Sequence, residues 1–302
     1  MTDQNASEHL RQLLAGARQA LRPILPKRLR GDIPIVPVVR LTGLIGFSTP
    51  LKPGLTLATL ARPLERAFRM RQARAVALVI NSPGGSPVQS HLIFQRIRQL
   101  AVENARHVIA FAEDVAASGG YMVACAADEI VCDPASLVGS IGVVGGSFGF
   151  AKLLDKLGIE RRLYTSGEHK AMLDPFLPEN PEDVDRIKSV QREIHVGFIE
   201  LVKERRGARL NGPEKALFSG EYWSGSKAIE LGLADAIGDV RSTLRQRFGE
   251  EVATPLMLPT RGWFGRVQPA VEAAELLQRP NDLGEQIISA LESRAIWSRY
   301  GL

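Results

Sequence analysis

The stretch Asp114-Val115-Ala116-Ala117-Ser118-Gly119-Gly120-Tyr121 decides the fold. It is a run of small and polar residues between a strand-like segment, His107 to Ala112, and an apolar helix that Ser118 opens. A serine at a strand-to-helix turn, followed by two glycines, projects its hydroxyl while the next backbone N–H groups stay uncovered. That is how a nucleophile is presented. Upstream, Val76-Ala77-Leu78-Val79-Ile80-Asn81 reads as a strand buried on both faces and runs into Ser82-Pro83-Gly84-Gly85-Ser86 and a further helix. Two Gly-Gly turns at successive strand ends lie side by side at one edge of a parallel sheet. One is placed to carry a nucleophile and the other an oxyanion donor.

Working outward, strands alternate with helices at short spacing, which implies βαβ units and an α/β fold with a parallel sheet. Ile33 to Leu41 is strand-rich, Leu57 to Met70 is helical despite Pro63, and a helix follows Pro87. A third glycine-rich passage, Gly139-Ser140-Ile141-Gly142-Val143, lacks the lysine of a P-loop and the glycine pattern of a dinucleotide site. After it come a helix (Phe150 to Leu157), a strand (Arg161 to Tyr164) and the turn Ser166-Gly167-Glu168-His169-Lys170. A long charged helix, Pro181 to Arg206, carries apolar residues on one face and suits packing across the outside of the domain. Small helices are expected at Ser226 to Leu231 and Arg241 to Phe248.

Both ends differ from this pattern. Residues 1–30 form a basic amphipathic helix with Leu10, Leu13, Leu14, Ala17 and Leu21 at helical spacing, ended by Pro23 and Pro26. Residues 251–302 form an extension in which Trp263 and Phe264 lie among arginines before a helical stretch, Val271 to Trp297. Such ends fit a subunit contact or a membrane surface. Residues 31–250 remain as the main domain.

Composition narrows the classes. The chain has 302 residues, 45% of them hydrophobic, enough for a sizeable core. Its formal charge of +5 is modest, and no basic stripe interleaves with aromatics as single-strand nucleic-acid binding requires, so no nucleic-acid partner is expected. The two cysteines, Cys125 and Cys132, lack metal-ligand spacing and read as small core residues, so neither a metal nor another cofactor is expected. No window of about 18 apolar residues occurs and the start lacks a secretory layout, which predicts a cytoplasmic protein or one peripheral at the inner membrane.

A serine hydroxyl needs a base. Of the five histidines, His9, His107 and His195 read as surface residues, while His91 could approach the site and His169 sits next to Lys170. Lys170 is the other candidate. A lysine acts as base only when neutral, and Met172, Leu173 and Phe176 are the apolar neighbours that would desolvate it. Spacing alone also allows Lys170 to be a solvated surface lysine.

The motifs Asn81-Ser82-Pro83-Gly84-Gly85, Ala116-Ala117-Ser118-Gly119-Gly120-Tyr121, Gly139-Ser140-Ile141-Gly142-Val143 and Ser166-Gly167-Glu168-His169-Lys170, in this order, resemble the signal peptide peptidase A (protease IV) family of bacterial serine peptidases. The resemblance implies a Clp-protease/crotonase-like fold, with Ser118 as nucleophile and Lys170 as general base. It further implies an oxyanion hole from the N–H groups of Gly85 and Gly119, and a lysine-orienting hydroxyl on Ser140. Peptide or unfolded-protein substrates and a homo-oligomeric ring, in which one subunit's lysine completes its neighbour's site, follow from the same resemblance. Three other readings compete. A crotonase-type acyl-CoA enzyme would use carboxylates, with Glu113 and Asp114 nearby. A Clp-type Ser-His-Asp peptidase would need a histidine soon after the nucleophile helix, and none lies between Ser118 and His169. A non-catalytic scaffold would have no use for the serine, lysine and glycine turns together.

Overall fold

A computed structural model describes residues 33–46, 54–258 and 294–301. The predicted N-terminal helix, the Trp263-Phe264 pair and most of the predicted C-terminal helix lie outside these residues.

The main sheet has the order β1 (Val38–Thr42), β2 (Val76–Ser82), β3 (Val108–Ala117), β4 (Glu129–Cys132) and β7 (Ala236–Ile237), all parallel. Between β4 and β7 in sequence lie β5 (Leu137–Gly139), parallel to the end of β3, and β6 (Tyr222–Ser224), antiparallel to β5. This is the α/β class expected. Parallel strands need crossover connections, and these are α1 (Leu57–Phe68), α2 (Pro87–Glu103) and α3 (Gly119–Ala124). The chain continues through α4 (Ala151–Lys156), α5 (Pro181–Arg206), α6 (Glu214–Leu217), α7 (Gly225–Glu230) and α8 (Val240–Phe248).

Alternation along each strand divides the core in two. Val39, Leu41, Leu78, Ile80, Ala110 and Ala112 face α1, α2 and α3, where Leu64, Phe68, Ile93 and Ile97 are buried against them. Val38, Ala77, Val79, Ile109 and Phe111 face the other way, onto Leu244 of α8. Covering both faces explains why β2 is an unbroken apolar run, Val76 to Ile80.

Helix ends follow local chemistry. Ser86 caps α2 by accepting from the Gln89 N–H, and Pro87 takes the first helical position. Asn180 caps α5 by accepting from the Glu182 N–H at 3.0 Å, with Glu182 and Asp183 in the first turn and Lys203, Arg205 and Arg206 in the last. Only the C-terminal part of α5 packs on the domain, through Phe198, Leu201 and Val202. On the predicted apolar face Val184 and Ile187 are only partly buried and Val190 and Ile194 are exposed, so that face is largely uncovered N-terminal to Phe198.

One predicted strand is absent. Residues 161–164 have no strand pairing among the described residues, and the chain from 144 to 170 is mostly exposed. A strand without a neighbour leaves its N–H and C=O groups to water, so local propensity alone does not sustain it.

Candidate active site

β2 and β3 run in register from Val76↔Val108 to Ile80↔Ala112, and then the pairing jumps to Ser82↔Ala116. Over that interval β2 advances two residues and β3 advances four. The bulge pushes Glu113 and Asp114 outward, where Glu113 pairs with Arg40 and Asp114 accepts from Asn81 Nδ2 at 2.6 Å. Beyond it β3 leaves β4 and pairs with β5, ending at Ala117↔Gly139.

Ser118 and Ser140 are the next residue on each strand. The Ser118 N–H donates to the Gly139 carbonyl at 2.8 Å, and the Ser140 N–H donates to the Glu221 carbonyl at 2.7 Å. Ser118 has φ 53° and ψ −123°, and Ser140 has φ 52°. An L-residue held at positive φ carries a cost of about 1–3 kcal/mol, sustained by the surroundings and concentrated at functional sites. At Ser118 this turn converts a buried strand directly into α3, leaving the serine half-buried beneath no further strand residue.

The two glycine turns meet here. Ile45 bridges to the Gly85 turn: its N–H donates to the Gly84 carbonyl at 2.9 Å and its carbonyl accepts from the Ser86 N–H at 2.8 Å. In this bridging pattern the N–H of Gly85 is not used by Ile45, and its nitrogen lies beside Gly119. The close approach excludes side chains. A methyl group at Gly84 (φ 101°) would lie 2.7 Å from the Gly119 nitrogen and 2.8 Å from Ser118 Cβ. One at Gly85 (φ 142°) would lie 2.1 Å from the Ile45 oxygen. One at Gly119 would meet Ser90 Oγ at 2.2 Å and the Gly85 nitrogen at 3.4 Å. Ser118, Gly85 and Gly119 are thus brought together at the end of β3, with Ser140 at the end of the neighbouring strand.

Lys170 is not brought to them. It is exposed in the turn that follows residues 161–165, with its Cγ against Gly167, 3.3 Å from where a Cβ there would stand. Its apolar sequence neighbours do not enclose it: Phe176 stacks at 5.5 Å on Phe150, and Arg161 lies over the Phe176 ring at 4.8 Å. The desolvation expected from Met172, Leu173 and Phe176 is therefore not provided within one copy of the chain.

Two residues that sequence reasoning missed do reach the site. His195, read as a surface residue, is partly buried and places Nε2 3.0 Å from the Ile141 carbonyl, one residue after Ser140. Tyr300, near the C-terminus, donates its hydroxyl to Ser140 Oγ at 3.4 Å. His91 is exposed and packs edge-on to Phe94, and His107 lies 3.5 Å from Asp128. The cysteines are core residues as expected, and burial pushes the Cys125 thiol up to about 12 and the Cys132 thiol up to about 11, which removes both as nucleophiles. Among the described residues no group of three or more His, Cys, Asp or Glu is placed to hold a metal ion.

A family model described as peptidase family S49 matches residues 101–251, half of the chain, including β3, Ser118, Ser140 and Lys170. The chain belongs to peptidase family S49. Among the S49 chain's curated relatives, the putative protease MJ0651 of Methanocaldococcus jannaschii is 33% identical over 173 residues, 57% of this chain and 55% of that protein. The chloroplastic serine protease SPPA of Arabidopsis thaliana is 33% identical over 179 residues, 58% of this chain and 26% of that protein. A protein of Brucella abortus (strain 2308) named Na(+)/H(+) antiporter NhaA is 52% identical over 287 residues, 93% of the S49 chain but 39% of its own length. The S49 chain thus spans about two-fifths of that relative. No helix among the described residues is long and apolar enough to cross a membrane. A solved 1510-N membrane-bound stomatin-specific protease aligns with 76% of the S49 chain and 99% of its own at 17% identity, with a TM-score of 0.46.

Proposed function

We propose that the chain is a serine peptidase in which Ser118 attacks a peptide carbonyl and Lys170, supplied by a second copy, is the general base. The observation that carries this reading is the strained Ser118 at the strand-to-helix turn, with the nitrogens of Gly85 and Gly119 beside it. Neutral Lys170 Nζ takes the Ser118 proton as Oγ bonds to the carbonyl carbon, and the N–H groups of Gly85 and Gly119 stabilise the oxyanion. Collapse breaks the C–N bond, and the lysine returns its proton to the leaving amine. Water, deprotonated by the same lysine, then hydrolyses the ester.

Exposure of Lys170 supports the two-copy site. The segment that bears it presents Val144, Phe148, Leu157, Ile159 and Tyr164, the last 88% exposed, a run of large apolar side chains of the kind a second subunit covers. A second copy that covers this surface would bury Lys170, and burial favours the neutral amine that a general base must be.

The test is labelling by a fluorophosphonate probe, with the adduct located by mass spectrometry. Ser118→Ala and Lys170→Ala proteins should each be unlabelled. Co-refolded mixtures of the two should regain labelling, on the Lys170→Ala chain alone, because that chain keeps Ser118 and its neighbour keeps Lys170. Parent protein that stays unlabelled across neutral and alkaline pH would overturn the peptidase reading. Labelling of parent with no recovery in the mixture would place both residues in one copy.

A further inference from the structure

Residues 294–301 return to the site from the far end of the chain. Trp297 and Tyr300 pack on Val115 and Ala117 of β3 and on Leu137 of β5, the two strands that end in Ser118 and Ser140. The Tyr300 N–H donates to the Trp297 carbonyl at 2.9 Å, and Tyr222 of β6 holds the segment by donating its hydroxyl to the Arg299 carbonyl at 3.1 Å. The Tyr222 and Tyr300 rings lie 5.1 Å apart. This docking buries Tyr300 and aims its hydroxyl at Ser140 Oγ, 3.4 Å away, where both groups are shielded from water.

Among the described residues Tyr300 is the side-chain partner of the Ser140 hydroxyl. The Ser140 main chain is held separately, by the Glu221 carbonyl and by its place after Gly139. A hydroxyl has one proton and two lone pairs. Once the Tyr300 O–H occupies one lone pair, the orientation of the Ser140 hydroxyl is limited, and its second lone pair is the acceptor left for an amine N–H. A lysine whose N–H is taken up there can turn its own lone pair toward Ser118 in the adjoining position.

We propose that Tyr300 is a positioning residue for this reaction, holding the Ser140 hydroxyl in the orientation that receives the lysine amine. The proposal rests on the reading of Ser140 as the group that orients Lys170. It makes the C-terminal segment part of the working site: the serine, the oxyanion donors and Ser140 come from residues 85–140, and the group that aligns Ser140 comes from position 300.

The experiment compares fluorophosphonate labelling of the full chain as parent, Tyr300→Phe, Ser140→Ala and the double variant, reading maximal rate and half-saturating probe concentration separately. Tyr300→Phe keeps the ring and its packing, so the fold is preserved. The maximal rate should fall about three- to tenfold, the size of one neutral hydrogen bond, with the half-saturating concentration unchanged. Ser140→Ala should be slower still, and adding Tyr300→Phe to it should cost nothing more, because the two act as one unit. A parental rate for Tyr300→Phe overturns the proposal, as does an equal loss in the Ser140→Ala background. If Ser140→Ala itself labels at the parental rate, the lysine-orienting role of Ser140 fails first and the Tyr300 proposal with it; if Ser140→Ala is slow and Tyr300→Phe is not, only the Tyr300 proposal fails.

Discussion

Ser118 and Ser140 occupy equivalent positions at the ends of two hydrogen-bonded parallel strands, and both hold φ just above 50°. The pair Ala117↔Gly139 ends the ladder, and each chain then turns left-handed with a hydroxyl at the turn. Two strained serines in adjoining register are hard to account for as packing, since glycine would serve such a turn with less strain.

Ser118 should therefore be replaceable at a gain in stability. Glycine adopts φ 53° without the Cβ penalty, although it adds entropy to the unfolded chain. Ser118→Gly is expected to raise the unfolding temperature by about 2–4 °C, a net gain near 1 kcal/mol for a domain of this size, while abolishing fluorophosphonate labelling. A variant less stable than the parent would mean that the Ser118 hydroxyl itself holds the turn together.

The oxyanion donors can be tested through space rather than charge. A methyl group at Gly119 would stand 2.2 Å from Ser90 Oγ and 3.2 Å from Ser90 Cβ, so Gly119→Ala must displace either Ser90 or the Gly119 backbone, and displacement of that backbone misaligns its N–H. Loss of one aligned donor costs about 10²–10³ in rate, and labelling should fall by that order. Gly146→Ala, where nothing lies within 4 Å, should label at the parental rate. Equal rates for the two variants would remove Gly119 from the site.

Much of this arrangement was legible in the sequence, for physical reasons. The Gly-Gly turns declare themselves because close backbone approach excludes every side chain, as at Gly84 and Gly85, and the helix from Pro181 to Arg206 is bounded by Asn180 and Gly207. Less legible was anything that depended on distant chain. Residues 161–164 look like a strand but find no partner strand among the described residues, and Met172, Leu173 and Phe176 are next to Lys170 in sequence without enclosing it. His195 and Tyr300 lie 54 and 160 positions from their partners, and no local pattern ties a lone histidine or tyrosine to a turn that far away.

The exposed apolar surface between residues 144 and 196 makes self-association measurable. Phe148, Phe150 and Phe176 form a row of rings at 6.3 and 5.5 Å. Phe148, at 77% exposed, is not required by the core of its own chain. Phe148→Asp should shift the sedimentation profile toward monomer and reduce labelling by at least about tenfold, since a charge buried in an apolar contact is strongly unfavourable. The variant should remain folded as a monomer, with an unfolding temperature that no longer rises with protein concentration. Unaltered association would assign the contact to another surface.

The cysteines offer a control on the chemistry. Burial raises both thiols well above neutrality, so at pH 7 neither is appreciably a thiolate. Iodoacetamide should leave native protein unmodified over hours and label Cys125 and Cys132 together only under denaturing conditions. Early modification of either, followed by loss of fluorophosphonate labelling, would reopen the identity of the nucleophile.

Acid sensitivity should trace to the Arg206–Asp235 pair, which ties α5 to the chain entering β7. Arg206 is buried and forks onto Asp235 with two contacts of 2.8 Å, while its Nε donates to the Gly232 carbonyl at 2.8 Å. Burial pulls the Asp235 carboxyl upward, but the Arg206 guanidinium and the Ile130 N–H outweigh it and hold it below the usual carboxylate range. A group whose pKa is lower folded than unfolded stabilises fully above its unfolded value, and that contribution is lost as pH falls through the folded one. Stability should therefore be level near neutrality and decline below about pH 4. Asp235→Asn should cost about 3–5 kcal/mol at pH 7, because it leaves a buried guanidinium without its counter-charge, and should flatten the acid decline. Urea unfolding at pH 7 and pH 3.5 measures both effects; a variant that loses stability in parallel with the parent between those pH values would place the acid-sensitive group elsewhere.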